Sequence, residues 1–327
     1  MRILVTGGAG YIGSHSVKLF LDRGHDVWVY DNLSMGHRAA VPAERLIVGD
    51  LNEIPKLDHL FVTKRIEAVV HFAAYAFVGE SVTNPGKYYQ NNLVNTLNLM
   101  ECMRRNGVGK IVFSSTCATY GNPQTVPITE EEPQHPINPY GNGKLAVEKA
   151  LADYAPAYQW GYAALRYFNA AGARPDGSIG EDHNPETHLI PLVIQVALDQ
   201  RPHIEVFGTD YPTPDGTCIR DYIHVDDLGE AHLFALEKLK PGKGLEYNVG
   251  TGRGYSVREV IQTVEEVTGK KIAVKEGPRR PGDPPALVAA SDKIRHDLAW
   301  RPRYADLRPI VETAWRWHKN HPNGYGD

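Results

Sequence analysis

The chain has 327 residues, 42 % of them hydrophobic and 23 % charged, with a formal net charge of −4, which suffices for one large or two medium domains with real cores. No sustained Lys/Arg block is present, and "GPRRPGD" is too short to track a nucleic-acid backbone, so Arg279 and Arg280 suit a small anion better. No apolar run reaches the roughly 18 residues of a membrane span, and "MRILVTGG" reads as a strand and turn rather than a secretory leader, so neither a membrane nor a nucleic-acid partner is expected and the location is expected to be cytoplasmic.

The elements follow in chain order. "RILVTG" is a strand, succeeded by a helix over about 14–23 that Gly24 and His25 end. "DVWVYD", "RLIVGD" and "EAVVHFAA" are the next strands, with a helix near 56–65 before the last of them. A long helical stretch at 84–106 leads to the strand "KIVFSS", and a helix from Pro139 to Tyr158 leads to "YAALRYFN". Short β-rich runs alternating with helices predict βαβ units around a parallel sheet. After Asn169 the texture changes to a Gly/Pro-rich loop, a helix at 189–200, the run "IEVFG" and a further loop, "TDYPTPDGTCIRDYIH". Helical patterns return at 226–238 and 256–268, with short strands at "YNVGTG" and "KIAVKEGP". This predicts a first domain over 1–169, rejoined by a segment at about 215–250, and a smaller second domain over 170–327. Cys102, Cys117 and Cys218 lie too far apart for a disulfide framework. Fourteen histidines are scattered without an HExxH pattern, so no metal is expected.

"TGGAGYIGSH" follows the first strand and opens a helix. Gly8, Gly10 and Gly13 make GxGxxG, and Gly7, Gly10 and Gly13 make the wider GxxGxxG. Missing side chains allow a tight turn and close approach of a pyrophosphate to backbone N–H donors at the helix N-terminus. Asp31 ends the second strand, where a carboxylate accepts both adenosine ribose hydroxyls and repels a 2′-phosphate, so NAD is favoured over NADP. Further strand ends should line the same crevice: Asp50 and Leu51 near the adenine, Phe72 and Ala73 near the pyrophosphate. Asn91, a polar amide in a long helix, is functional or structural with equal weight.

In "NPYGNGK", Tyr140 and Lys144 stand four apart and share a helix face. An ammonium beside a phenol lowers its pKa and favours a base near neutrality. The hydroxyl-rich turn Ser114, Ser115, Thr116 ends the fifth strand, and Thr116 is the expected hydroxyl donor to a substrate oxygen. Alone the Tyr/Lys pair is common. Joined to the glycine cradle and Asp31, it reads as proton-transfer machinery.

These motifs, with "DNLS", "VGESV", "YYQNN", "LRYFNAAGA" and "YNVGTG", resemble the sugar-nucleotide epimerases of the extended short-chain dehydrogenase/reductase family over nearly the whole chain. The resemblance implies an α/β fold: a Rossmann-type doubly wound parallel sheet carrying a smaller mixed α/β substrate domain. It implies bound NAD, recycled while C4 of a UDP-hexose such as UDP-glucose or UDP-galactose is inverted through a 4-keto sugar. Tyr140 would move the proton, Lys144 would tune it and hold the nicotinamide ribose, and Thr116 would bond the 4′-oxygen. Tyr11, Ile12, Asn32, Ala74, Ser114 and Tyr167 join the implied cofactor residues. Asn169, Leu189, Phe207, Arg220, Arg280, Asp283 and Leu287 are the implied UDP-sugar residues, with Phe207 on the uracil, the arginines on the phosphates and Asp283 on the uridine ribose. Without the resemblance, Arg220 reads equally as an internal ion-pair residue, with Asp221 as its expected partner. A homodimer through the helices at 84–106 and 141–158 is also implied.

Departures from the family pattern are Asn142 and Gly143 between Tyr140 and Lys144, Gly86, and Leu287 where some relatives carry tyrosine. The smaller Leu287 wall would admit an N-acetyl group, so UDP-N-acetylglucosamine is an alternative substrate, and some motifs also resemble epimerases of UDP-xylose and UDP-arabinose. A 4,6-dehydratase would need an Asp–Glu pair where Cys117 and Ala118 stand. A non-catalytic NAD-binding regulator would need the Tyr/Lys pair to be idle.

Overall fold

The computed structural model describes residues 1–280 and 282–326. Six strands appear in turn, β1 (Arg2–Thr6), β2 (Asp26–Asp31), β3 (Leu46–Val48), β4 (Ala68–His71), β5 (Lys110–Ser114) and β6 (Gly161–Tyr167). They join in the order β6-β5-β4-β1-β2-β3, and the strand Lys243–Val249 adds beyond β6. Every pairing in this seven-stranded sheet is parallel.

A parallel sheet needs both faces covered, and the alternation along β1 shows how this chain covers them. Ile3 and Val5 enter one apolar cluster, with Phe20, Leu228 and Ala231 from the helices Tyr11–Asp22 and Val225–Lys238. Leu4 enters another on the opposite face, with Leu57, Leu99, Met100 and Val147. Chain order reverses between β1 and β4, which opens a crevice at their carboxyl ends.

A second lobe packs the helices Leu189–Ala197, Val257–Thr268 and Leu307–Asn320 around their own apolar cluster. The expected loop at 209–224 ends instead in a strand, Ile219–His224, at the centre of a small sheet. Its neighbours are Gly254–Ser256, Asn169–Ala171 and Ala286–Leu287. Local composition hid it because Asp210, Pro212, Pro214, Asp215 and Gly216 crowd the approach with turn-forming residues. The helix expected at 14–23 begins earlier, at Tyr11, and Arg23 caps it. The expected stretch 84–106 is helical throughout its core, but Tyr89–Val94 is a π-helical turn.

Candidate active site

One cleft of about 1200 Å³ runs between the crevice and the second lobe. At one end the glycine turn forms its wall. Gly7 has φ +70, and a Cβ there would strike the backbone of Ala73; a Cβ on Gly13 would strike the Gly7 carbonyl. The helix that follows, from Tyr11, is preceded by Gly10, which offers no side-chain cap, and has no acidic residue in its first turn, so its free N–H donors are left for an anion. Gly7, Gly10, Tyr11, Ile12 and Gly13 all line the cleft, as do Phe72, Ala73 and Ala74 across it.

Asp31 is buried at the end of β2. Its Oδ2 accepts from the Ala9 N–H at 2.9 Å and its Oδ1 from the Leu33 N–H at 2.8 Å. Burial raises its pKa, against the lowering effect of those two donors. A carboxylate has about four lone-pair sites, so it retains capacity for a diol. Asn32 donates to Asp50 Oδ2 at 2.7 Å and Asn95 to Asp50 Oδ1 at 3.2 Å. Asp50 and Leu51 border the same end of the cleft. This uncapped, side-chain-free cradle beside a buried carboxylate fits an adenine dinucleotide with an unphosphorylated ribose.

The helix Pro139–Tyr158 starts where its sequence says it should. Asn138 caps it by accepting from the Gly141 N–H at 2.8 Å, and Pro139 occupies the first turn, where no backbone donor is needed. Tyr140 and Lys144 are buried on the face toward the cleft and line it with Thr116 and Tyr167. The Lys144 amine donates to the Ser114 carbonyl at 2.7 Å and stands 5.9 Å from the Tyr140 ring centre. Burial pushes Lys144 down to about 7, opposed by Glu148. Burial also raises the Tyr140 phenol, with Tyr167 adding to the rise and the Thr116 hydroxyl opposing it. The expected lowering of Tyr140 by Lys144 is thus not a property of the bare chain: desolvation outweighs a lysine that points to a carbonyl. Cys117, beside Thr116 in the cleft wall, is pushed up to about 12 by burial.

Asn91 borders the cleft inside the π-helical turn and donates to Asn92 Oδ1 at 2.8 Å, while Asn92 holds both backbone groups of Tyr75. The extra residue of a π-bulge turns a side chain out of the regular ladder, a common feature of functional sites. Asn169, Arg280, Asp283 and Leu287 line the far end of the cleft.

Four expected residues stand off the cleft wall. Ser114 has committed its hydroxyl to the Tyr167 hydroxyl at 2.9 Å and its carbonyl to Lys144. Leu189 packs against the apolar cluster of the second lobe. Phe207 lies beneath the Arg280 guanidinium, 4.0 Å from its ring centre. Arg220 pairs with Asp283 at 2.6 Å. It does not pair with Asp221, whose carboxylate accepts from Thr251, Gly252 and Ala289.

One cluster lies outside the expected residues. Glu181, His183, Glu186 and His188 converge at the cleft margin. Their spacing, E-x-H-x-x-E-x-H within "GEDHNPETH", is the signal that a search for HExxH alone misses.

A parallel sheet with a glycine cradle, an acidic strand end and a buried Tyr/Lys pair defines a nicotinamide-dependent enzyme of the short-chain dehydrogenase/reductase type. The sequence matches the NAD dependent epimerase/dehydratase family over residues 3–250, and the chain belongs to that family. It is 53 % identical to a UDP-glucose 4-epimerase of Halalkalibacterium halodurans, over 99 % of this chain and 98 % of that protein. The structure superposes on the UDP-glucose 4-epimerase of Brucella ovis in complex with NAD, with a TM-score of 0.93 and 48 % identity over 97 % and 98 % of the two chains. It superposes equally on the Bifidobacterium longum enzyme in complex with NAD+ and UDP, with a TM-score of 0.94 and 38 % identity over 99 % and 100 %.

Proposed function

We propose that the chain is an NAD-dependent 4-epimerase of UDP-hexoses, interconverting UDP-glucose and UDP-galactose through a 4-keto sugar. The observation that carries this reading is the buried Tyr140, Lys144 and Thr116 group in one cleft with the glycine cradle and Asp31. NAD, when bound, supplies a reversible hydride acceptor. Gly7, Gly10, Tyr11, Ile12 and Gly13 hold its pyrophosphate, Asp31 and Asn32 its adenosine ribose, and Asp50 and Leu51 border its adenine. Phe72, Ala73, Ala74 and Asn91 flank its course, and Tyr167 with Ser114 backs the nicotinamide end.

Tyr140 takes the proton of the sugar 4′-hydroxyl and returns it after the sugar has presented its other face. Thr116 donates a hydrogen bond to the 4′-oxygen. Lys144 in its charged form favours the phenolate and holds the nicotinamide ribose. Arg280 meets the diphosphate, and Phe207 supports it from beneath. Arg220 holds Asp283 toward the uridine ribose, and Asn169 completes the nucleotide end. Residues 1–169 with the returning segment at about 215–250 bind the cofactor, and the rest of 170–327 mainly binds the UDP-sugar.

The wall at Leu287 supports a second substrate. Leu287 lines the cleft, and a leucine there leaves more room at the sugar than a tyrosine, so UDP-N-acetylglucosamine is also epimerised. A dehydratase is disfavoured because Cys117 and Ala118 offer no acid–base pair: the thiol is held neutral by burial. Incubation with UDP-glucose, UDP-N-acetylglucosamine and UDP-xylose in turn, with resolution of each 4-epimer, tests the reading. Product from the first two is expected, and Leu287→Tyr is expected to lose the N-acetylated sugar selectively. Release of free NADH or failure on all three would overturn it.

We also infer a homodimer. Tyr89, Leu97 and Tyr158 remain exposed along the helices 85–105 and 139–158, as a helix-to-helix interface between copies requires. Sedimentation at micromolar concentration should give twice the chain mass. Among the described residues no helix is long and apolar enough to cross a membrane.

A further inference from the structure

We propose that Glu181, His183, Glu186 and His188 form a site for one divalent transition-metal ion, zinc by preference, that clamps the loop bordering the cleft. Eight consecutive residues carry all four donors, and the donor atoms lie within 4.8 Å of one another. His183 Nδ1 is 3.1 Å from Glu181 Oε1 and 3.7 Å from Glu186 Oε2. His188 Nδ1 is 2.8 Å from Glu181 Oε1 and 3.0 Å from Glu186 Oε1. A tetrahedral ion with bonds of about 2.0–2.1 Å separates its ligand atoms by about 3.3–3.4 Å. The four contacts straddle that separation and every other donor pair lies within 4.8 Å, so side-chain shifts bring the donors onto one ion. Two imidazoles with two carboxylates favour zinc and its neighbours over magnesium or calcium, which take oxygen sets.

The donors are held from outside as well. Glu186 Oε1 accepts from the Thr187 N–H at 2.6 Å and the His188 N–H at 2.8 Å. The Glu181 carbonyl accepts from the Trp317 indole at 3.0 Å. Tyr11 and Phe77 set their ring contacts on His183 at 6.0 and 6.2 Å. Backing of this kind fixes ligands in metal sites. Four protein ligands complete a tetrahedron and leave no open position, which is the pattern of a structural ion rather than a catalytic one. Glu181, His183 and His188 line the cleft, as does Tyr11 of the glycine turn. The ion therefore ties the end of the 172–188 loop to the start of the helix Leu189–Ala197 and braces the cofactor wall.

The test uses untagged protein with its cofactor bound, stripped by a chelator and titrated with Co²⁺. One equivalent should bind with the intense visible bands of a tetrahedral site, and Zn²⁺ should displace it and raise Tm. His183→Ala with His188→Ala should abolish the bands and the Tm shift while circular dichroism stays unchanged. Glu186→Gln, which keeps size and the backbone contacts, should weaken binding at least ten-fold. The pale spectrum of aqueous Co²⁺, or uptake that is unchanged in either variant, would overturn the proposal and leave the four groups as ion pairs only.

Discussion

The helix Pro139–Tyr158 carries two buried charged groups one turn apart, and they are treated in opposite ways. Glu148 meets Arg166 through three contacts, Nε to Oε1 at 3.2 Å, Nε to Oε2 at 3.0 Å and Nη2 to Oε2 at 2.6 Å. Ser115 and Gln134 also donate to Glu148. Burial works against the charge of Arg166, but Glu148 outweighs it. Lys144, among the described residues, has only the Ser114 carbonyl as a hydrogen-bond partner, and burial pulls it down to about 7. A charge kept for architecture is paired and saturated. A charge kept for chemistry is left under-satisfied, with its proton near exchange at neutral pH.

The sharpest way to separate the two turns is to remove the reacting hydroxyl. Tyr140→Phe should lower kcat by about 10²–10⁴-fold, the range of general acid–base catalysis, with NAD content unchanged; unaltered turnover would erase the functional side of the contrast. Glu148→Ala should do the reverse. It strands Arg166 in the interior and should cost about 3–5 kcal/mol of stability in urea unfolding, and pairing it with Arg166→Met should recover most of that loss.

Lys144 gives a signed pH test. Its native pKa of about 7 lies below the ordinary 10.5, so between these values the unfolded chain binds the extra proton and stability rises with pH. The destabilisation is complete below about pH 7 and gone above pH 10.5. Lys144→Met should remove this slope in the cofactor-free protein and raise Tm near neutrality, even as activity falls. The smallest effect belongs to Gly143→Ala. A Cβ there meets nothing within 4 Å, so it should add about 0.8–1 kcal/mol without changing kcat. The same open space surrounds Gly86.

How much of this was legible depended on range. The parallel sheet, the cradle and Asp31 follow from local patterns, because period-2 strands and glycine turns are set by adjacent residues. The bounds Pro139 and Tyr158 were readable for the same reason: cap and proline are neighbours of the helix. The strand Ile219–His224 was not, since its partners at 169–171, 254–256 and 286–287 come from distant segments. Nor was the Arg220–Asp283 pair, which joins residues 63 apart. The direction of the Tyr140 shift also escaped, because spacing shows a lysine within reach but not that it turns to a carbonyl.

If oxidation and reduction occur at one carbon within one cleft, served by Tyr140, the hydrogen at C4 never leaves the site. UDP-galactose carrying deuterium at C4, converted to equilibrium in ordinary water and analysed by NMR, tests it directly. UDP-glucose with deuterium retained at C4 is expected; washout of the label to solvent, or its loss into free NADH, would overturn this mechanism.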